Sequence, residues 1–310
     1  MKRKFLLFVI LLAAFSQAFA THNRAGEITY RRIYDANHPN SYTYEATVTT
    51  YTRLPANQIP DRCELEIKWG DGTMDTIQRV NGPSSSSCPH IGDQVAADIK
   101  KNIYIGVHTY AGASCFIISV TDPNRNASVI NIPNSTNVSF YIESQLCINP
   151  FLGFNNTSPV LLNPPIDNAC TCKKFVHNPG AFDSDGDSLS YELIDCKDAG
   201  GVAIFGYTLP PGVSINASTG DMTWACPSPI GEFNFAILIK EWREGSLIGS
   251  VERDLQVTVV GGCQNDPPVI ATLKDTCVVA GSSLFFNVTA TDPNVGDLVT
   301  LTSTGGVYLL

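Results

Sequence analysis

Three aspartates, Asp183, Asp185 and Asp187, occupy every second position in the stretch GAFDSDGDSLSYEL (180–193). Carboxylates this close repel one another, so either water at a solvated turn or a bound cation must offset the repulsion. In an extended segment alternate side chains share one face, so the first two aspartates could reach one ion, with Asp187 adding a ligand after a turn at Gly186. Hard carboxylate oxygens suit Ca²⁺ rather than a transition metal. The spacing predicts a calcium site, with a solvated turn as the alternative.

The spacing excludes an EF-hand loop, which needs Gly at position six and Glu at position twelve. Counted from Asp183, Gly186 stands at position four and Ile194 at position twelve. Catalytic patterns are missing as well, since no histidine belongs to an H-E-x-x-H arrangement and no G-x-S-x-G elbow occurs. We therefore predict that this chain is not an enzyme.

Alternating runs rich in Val, Ile, Thr, Phe and Tyr must position these aspartates. Examples are YTYEATVTTY (42–51), EFNFAILIKEW (232–242), RDLQVTVV (253–260) and SLFFNVTAT (283–291), with clusters of Gly, Pro, Asn and Asp between them. This pattern is typical of antiparallel strands in sandwiches, and convincing amphipathic helices are missing. The predicted fold class is all-β, with tandem Ig-like β-sandwich domains.

Two proline pairs, in LNPPIDNAC (162–170) and NDPPVIATL (265–273), interrupt the strand pattern and indicate domain junctions. The stretches that follow them are similar, since AFDSDGDSL (181–189) matches ATDPNVGDL (290–298) after one inserted residue. A repeat of about one hundred residues predicts tandem domains, and the second copy is expected to continue beyond Leu310. The predicted organisation is a signal peptide at 1–20, domains at 21–158 and 159–261, and the start of a further, truncated repeat at 262–310.

The first 20 residues have the features of a secretory signal peptide: a basic start, a short apolar run and the small-x-small signal Ala18-Phe19-Ala20. Without its three basic residues the chain holds 17 basic against 29 acidic residues, a net charge of about −12. The basic residues are scattered. We therefore expect a secreted or cell-surface protein with no nucleic-acid partner and no membrane insertion of the mature chain.

Ten cysteines support an oxidising compartment. The predicted boundaries divide them into groups of four, four and two, which predicts disulfides only within domains. The groups are Cys63, Cys88, Cys115 and Cys147; Cys170, Cys172, Cys196 and Cys226; and Cys263 and Cys277. The pairing within the first two groups is left open by the sequence.

Several motifs resemble known families. Residues 159–260 resemble the cadherin-like, putative Ig-like repeats of bacterial surface proteins, through FDSDGDSLSYEL, YTLPPGVSINASTGDMTW and RDLQVTVV. Residues 64–124 resemble a PKD domain, a seven-stranded sandwich, through IKWGDGT and VHTYAGASCFIISVTDPN, although the long insert between these motifs departs from the usual pattern. Nearly the whole mature chain is similar to large secreted proteins of Bacteroidetes-type bacteria, many of which end in a gliding-motility-associated sorting domain.

The resemblance to cadherin-like arrays implies that calcium binds at domain junctions, where an Asp motif meets a linker Asn-Asp pair. It therefore implies a second calcium site, whose ligands would be Asn265, Asp266, Asp292, Asn294 and Asp297. The first junction, with only Asn163 and the nearby Asp167, matches less well.

The function predicted from these features is that of a non-enzymatic, extracellular, multidomain surface or adhesion protein whose domain junctions are stiffened by calcium. Its partners would be other surface proteins or extracellular glycans. The alternative is a carbohydrate-binding accessory region of a secreted polysaccharide-degrading enzyme. The tryptophans Trp69, Trp224 and Trp242 could form a sugar platform, but burial in the core is the commoner fate of such residues.

Overall fold

The computed structural model describes residues 23–40, 42–54, 62–86, 88–153, 156–263, 266–271, 277–279 and 281–301. The predicted signal peptide (1–20) and the predicted ligand Asn265 lie outside the described residues. The described residues form strands, turns and two short 3₁₀ helices, Ser135–Asn137 and Pro150–Leu152, so the all-β prediction is confirmed. In this part of the chain, no helix combines the length and apolarity that a membrane span requires.

The strands are numbered in chain order. In the first half they are β1 (Asn23–Arg32), β2 (Thr43–Arg53), β3 (Glu64–Lys68), β4 (Met74–Gln78), β5 (Asp93–Ala96), β6 (Ile99–Thr109), β7 (Cys115–Asp122) and β8 (Phe140–Cys147). Short strands follow: β9 (Val160–Leu161), β10 (Ile166–Cys170), β11 (Phe175–His177), β12 (Ala181–Phe182), β13 (Ser188–Ile194), β14 (Lys197–Asp198), β15 (Val202–Ala203), β16 (Val213–Ile215) and β17 (Met222–Trp224). The last are β18 (Gly231–Arg243), β19 (Ser246–Val260), β20 (Val269–Ile270) and β21 (Ala290–Thr291).

Strands of the first half surround one apolar core. The hydrogen-bonded order of the main sheet is β4-β3-β7-β8-β19-β1-β2-β6-β5. Period-two alternation decides which side chains enter the core, as in β3, where Leu65 and Ile67 are buried and their neighbours are exposed. The sheet also curls back on itself, because the Val80 amide just after β4 donates to the Ile103 carbonyl in β6 at 2.8 Å.

Strand β19 joins this sheet to the second half of the chain. It pairs antiparallel with β8, β1 and β18 and parallel with β10. Ten consecutive residues, 248–257, are buried, which is the continuous pattern expected of a strand covered on both faces.

Two large apolar clusters pack on different parts of this framework. One lies within residues 28–148 around Trp69, and the other lies within residues 169–259 around Trp224. Strands that face one another across these clusters show the sandwich packing that the sequence predicts. The division at 158/159 stays a prediction, because β19 contributes hydrogen bonds to strands on both sides of it.

Buried ion pairs lie along β19. Together with the side-chain amides that contact them, they are called the polar seam below. Arg125 Nη1 lies 2.7 Å from Asp254 Oδ2, and both side chains are fully buried. Two amides also serve this seam, since Asn234 Nδ2 donates to Asp254 Oδ1 at 2.7 Å and Gln256 Nε2 donates to Asn234 Oδ1 at 2.9 Å. Buried charges are tolerated only with such compensation.

Replacing Asp254 with Ala should therefore lower the free energy of unfolding by about 3–5 kcal/mol, because the Arg125 charge would stay buried without its partner. Urea unfolding of the mature chain followed by circular dichroism measures this change. Glu192→Ala, which removes the partner of Lys240 in a pair where Glu192 is largely exposed, should cost less than about 1 kcal/mol. Equal effects of the two substitutions would contradict the role of the seam.

The disulfides only partly follow the predicted grouping. Cys63 pairs with Cys88, Cys115 with Cys147, and Cys172 with Cys226, all within predicted domains. The prediction of purely intradomain bridges is wrong for Cys170–Cys263, which crosses the boundary at 261/262. The parallel pairing of β10 with β19 is the physical reason, since it brings Cys170 opposite Val260, three residues before Cys263. Cys196 is buried and Cys277 exposed, and both are free thiols.

In the stretch 283–291, predicted as a strand, only Ala290–Thr291 forms a hydrogen-bonded strand, which pairs with β20. Phe285 and Phe286 in this stretch are 90% and 59% exposed. Alternating apolar residues form a stable strand only where a facing layer buries them, and these two rings stay largely exposed among the described residues.

The WGDGT motif makes the β3–β4 hairpin turn, and its Asp71-Gly72 pair is a strong hairpin signal in the sequence. Asp71 Oδ1 accepts from the Thr73 amide at 3.0 Å, and Asp71 Oδ2 lies 2.7 Å from His108 Nε2. His108 in turn stacks on the ring of Trp69. Burial by itself would raise the pKa of Asp71, but hydrogen bonds from Thr73 and His108 outweigh it and lower the pKa to about 2.

A carboxyl group whose pKa is lowered on folding contributes stability above its unfolded pKa, and this contribution is lost as the pH falls through the folded value. Asp71→Asn should therefore lower the free energy of unfolding by about 1–2 kcal/mol at pH 7 and make it less dependent on pH between pH 4 and pH 2. Urea titrations across this range test the prediction. Glu66→Gln, on the exposed face of β3, is the control and should match the wild type.

Candidate metal centre

The three aspartates of the opening motif meet a fourth carboxylate. Asp183, Asp185, Asp187 and Glu241 each offer a ligand atom, and these four atoms all lie within 4.8 Å of one another. Glu241 is not among the ligands predicted from the sequence. It stands 54 positions beyond Asp187 in the chain and reaches the cluster only because β18 pairs with β13. No local sequence signal distinguishes it from any other strand glutamate.

A turn, and not an extended segment, brings the aspartates together. Asp183 Oδ1 accepts hydrogen bonds from the amides of Asp185 and Asp187, at 2.9 and 3.0 Å. Gly186 takes φ +85°, in the left-handed region that favours glycine. The aspartates lie between β12 and β13, and the turn gathers their carboxylates beside the end of β18. The expectation of alternate side chains on one strand face is therefore wrong, although the three aspartates it selected do lie close together.

Glu241 reaches the cluster at an irregularity in the sheet. The register between β18 and β19 shifts after the pair Glu241–Gly249. A Cβ atom built on Gly249 would lie 2.6 Å from Glu241 Oε2 and would clash with the Tyr30 hydroxyl. Glycine at this position therefore makes the space in which the carboxylate lies.

Burial makes the cluster electrostatically costly. Asp183 is 7% exposed and Glu241 is fully buried. Asp183 Oδ2 and Glu241 Oε1 accept no hydrogen bond. Burial and then the charge of Asp183 raise the pKa of Glu241 to about 9, and burial likewise raises the pKa of Asp183. Two buried, unsatisfied oxygens on members of a group of four close carboxylates fit a hard cation, which would relieve both the desolvation and the repulsion.

The guanidinium of Arg243 already places a positive charge at the cluster. Its Nε donates to Asp187 Oδ1 at 2.8 Å, and its Nη2 donates to Asp187 Oδ2, a bidentate pair. The same Nη2 lies 3.7 Å from Asp185 Oδ2. One guanidinium thus faces four carboxyl groups, and it leaves the unpartnered oxygens of Asp183 and Glu241 unsatisfied.

The chain segment before β9 lies against this cluster. The Thr157 amide donates to Asp185 Oδ2 at 2.7 Å, and Asn156 Nδ2 donates to Glu241 Oε2 at 3.1 Å. Arg243 Nη1 donates to the Leu152 carbonyl at 3.1 Å. The cluster therefore anchors the connection that leads from the first apolar core to the second.

The residues predicted as ligands of the second calcium site are only partly brought together. Asn294 Oδ1 accepts from the Asp266 amide at 2.7 Å, and Asp292 Oδ1 accepts from the Asn294 amide at 2.8 Å. Lys173 supplies the positive charge here, with Nζ 2.6 Å from Asp266 Oδ1. In the part of the chain that the structure describes, Asp266, Asp292 and Asp297 do not form a second group of three close carboxylates.

The other candidate residues have structural partners. Trp69 and Trp224 are buried in the two cores, and Trp242 Nε1 donates to Ser190 Oγ at 2.8 Å. His177 is buried and lies 3.2 Å from Asp167 Oδ2, beside a cavity of about 290 Å³ that Asn163, Ile166 and Asn178 also line.

No family model matches the chain, and no curated protein matches it. Among solved structures it is similar to the human desmocollin-1 ectodomain, with a TM-score of 0.22 and 12% identity over 79% of this chain and 56% of that one. It is also similar to the N-terminal four Ig domains of Dscam1 isoform 6.44, with a TM-score of 0.20 and 9% identity over 80% of each chain. The chain thus spans little more than half of the desmocollin-1 chain. These scores carry no functional argument.

Gly249→Ala should disrupt the site, because the added methyl group must displace Tyr30 or Glu241. We expect a loss of about 1–3 kcal/mol in the free energy of unfolding, measured by urea denaturation. Gly112→Ala is the matched control, since its methyl group would enter open space, and it should be neutral. A neutral Gly249→Ala would contradict the packing described here.

Proposed function

We propose that this chain is a non-enzymatic extracellular surface or adhesion protein in which a calcium ion stiffens the junction between two sandwich domains, divided near residue 158. The observation that carries the proposal is the pair of unpartnered, buried oxygens, Asp183 Oδ2 and Glu241 Oε1, within a cluster of four carboxylates. Asp183, Asp185, Asp187 and Glu241 would be the ligands. The ion would neutralise the repelling carboxylates. Hydrogen bonds from the cluster to Asn156 and Thr157 would then fix the connection between the two cores.

The position of the cluster supports a mechanical role. Asp185 and Glu241 hold the backbone of Thr157 and the side chain of Asn156, both on the connection. A bound cation would fix the carboxylates, and through these hydrogen bonds it would fix the connection. A stiff connection keeps consecutive domains extended, which suits a protein that projects a binding surface away from a cell.

Disulfides and charge support the location. Four disulfides fit an oxidising compartment, and the acidic sequence with scattered basic residues fits a soluble extracellular chain. We propose other surface proteins or extracellular glycans as partners, and export through the predicted signal peptide. The resemblance to Bacteroidetes-type surface proteins supports the same assignment. The carbohydrate-binding alternative is less favoured, because Trp69 and Trp224 are buried and cannot stack on a sugar.

Calcium should stabilise the mature chain, residues 21–310. Binding to the folded state alone adds about 2.7 kcal/mol when calcium is a hundredfold above the Kd, which corresponds to a rise of several degrees in the melting temperature. Asp183→Asn keeps the two backbone hydrogen bonds but removes one carboxylate ligand, and Glu241→Gln removes another carboxyl ligand, so each should abolish most of the rise. Calorimetry in EDTA and in millimolar calcium measures the effect.

Asp198→Asn is the matched control for this experiment. Asp198 Oδ1 also accepts backbone hydrogen bonds, from Ser139 and Ala199, but it lies outside the cluster. This variant should retain the full calcium response. A wild-type chain whose melting temperature is the same in EDTA and in calcium would refute the calcium proposal and favour a solvated turn.

A further inference from the structure

Arg243 already occupies part of the cluster in which we place calcium. Its guanidinium engages both oxygens of Asp187, whose side chain is 5% exposed, while the Arg243 side chain is 18% exposed. A bidentate, largely buried pair of this kind is among the strongest side-chain interactions in proteins. Any ion that uses Asp187 as a ligand must therefore take a position that the guanidinium now holds.

The two cations cannot share the cluster without cost. The ligand atoms of the four carboxylates lie within 4.8 Å of one another, and Arg243 Nη2 is 3.7 Å from Asp185 as well. A divalent ion and a guanidinium at such separations repel strongly in a partly buried site. Calcium binding therefore requires Arg243 to withdraw from Asp187.

Withdrawal is resisted by contacts outside the cluster. Arg243 Nη1 donates to the Leu152 carbonyl at 3.1 Å, and Nη2 donates to Asn156 Oδ1 at 3.2 Å. These bonds hold the guanidinium in place beside Asp187. The state that can bind calcium is the one in which Arg243 has withdrawn from Asp187. Because these contacts keep that state only partly populated, the apparent Kd for calcium rises in inverse proportion to its population.

We infer that Arg243 is an internal counter-ion that competes with calcium and sets the affinity of the cluster. The inference rests on the proposed calcium site. It assigns Arg243 a regulatory role: the guanidinium holds the aspartate turn together when calcium is scarce, and it weakens the binding of calcium when calcium is present.

Calcium titration calorimetry of the mature chain at fixed ionic strength tests this role. Arg243→Gln should bind calcium about tenfold more tightly than the wild type, a factor within the usual range of coupling between sites. Its melting temperature in EDTA should be lower, and its rise on adding calcium should be larger. Arg243→Lys retains a positive charge, so its calcium affinity should stay within about threefold of the wild type.

Arg31→Gln is the matched control, because Arg31 forms an exposed pair with Glu45 away from the cluster, and it should bind calcium like the wild type. If Arg243→Gln does not fold in EDTA, Arg243→Met tests the same loss of charge with a side chain of similar length. Equal or weaker calcium binding by the uncharged variants would overturn the inference and leave the calcium site standing. An absence of binding in the wild type and in the uncharged variants alike would overturn both.

Discussion

Hydrogen bonding along β19 is the constraint on which the rest of the structure depends. This one strand pairs with β8 near its start, with β1 at its middle, with β18 over most of its length and with β10 near its end. It is covered on both faces, so its charged residues Glu252, Arg253 and Asp254 have to be compensated inside the protein. Arg253, for example, pairs with Glu27 of β1 at 2.7 Å. The polar seam is thus a consequence of sharing one strand between two cores.

The candidate metal centre follows from the same sheet. β18 is held along most of its length by β19, and it holds β13 in turn, so the turn before β13 is brought next to Glu241 and Arg243. The site therefore combines a short local motif with two residues that are more than fifty positions away. The local motif gathers negative charge, and the strand pairing decides which positive charge it meets.

The difference between local motifs and contacts made by strand pairing explains how much of the fold and of the site could be predicted from the sequence. Strands with clear alternation in the sequence, such as β2 and β18, lie within one or two residues of the runs that predicted them, because this alternation is a local property. The aspartates of the motif could be selected from the sequence because the turn that gathers them is also local, spanning residues 183–187. Glu241, Arg243 and the Cys170–Cys263 bridge were not found, because each depends on which strands become neighbours. The WGDGT turn was predictable, since its hydrogen bonds close within five residues.

The bridge between Cys170 and Cys263 has a consequence for mechanical load. It joins the chain just after β19 to the end of β10, and these two strands are parallel neighbours. A pulling force applied beyond Cys263 is divided between both strands instead of peeling β19 away by itself. The hydrogen bonds between them are then loaded together, and the second core resists extension as one block.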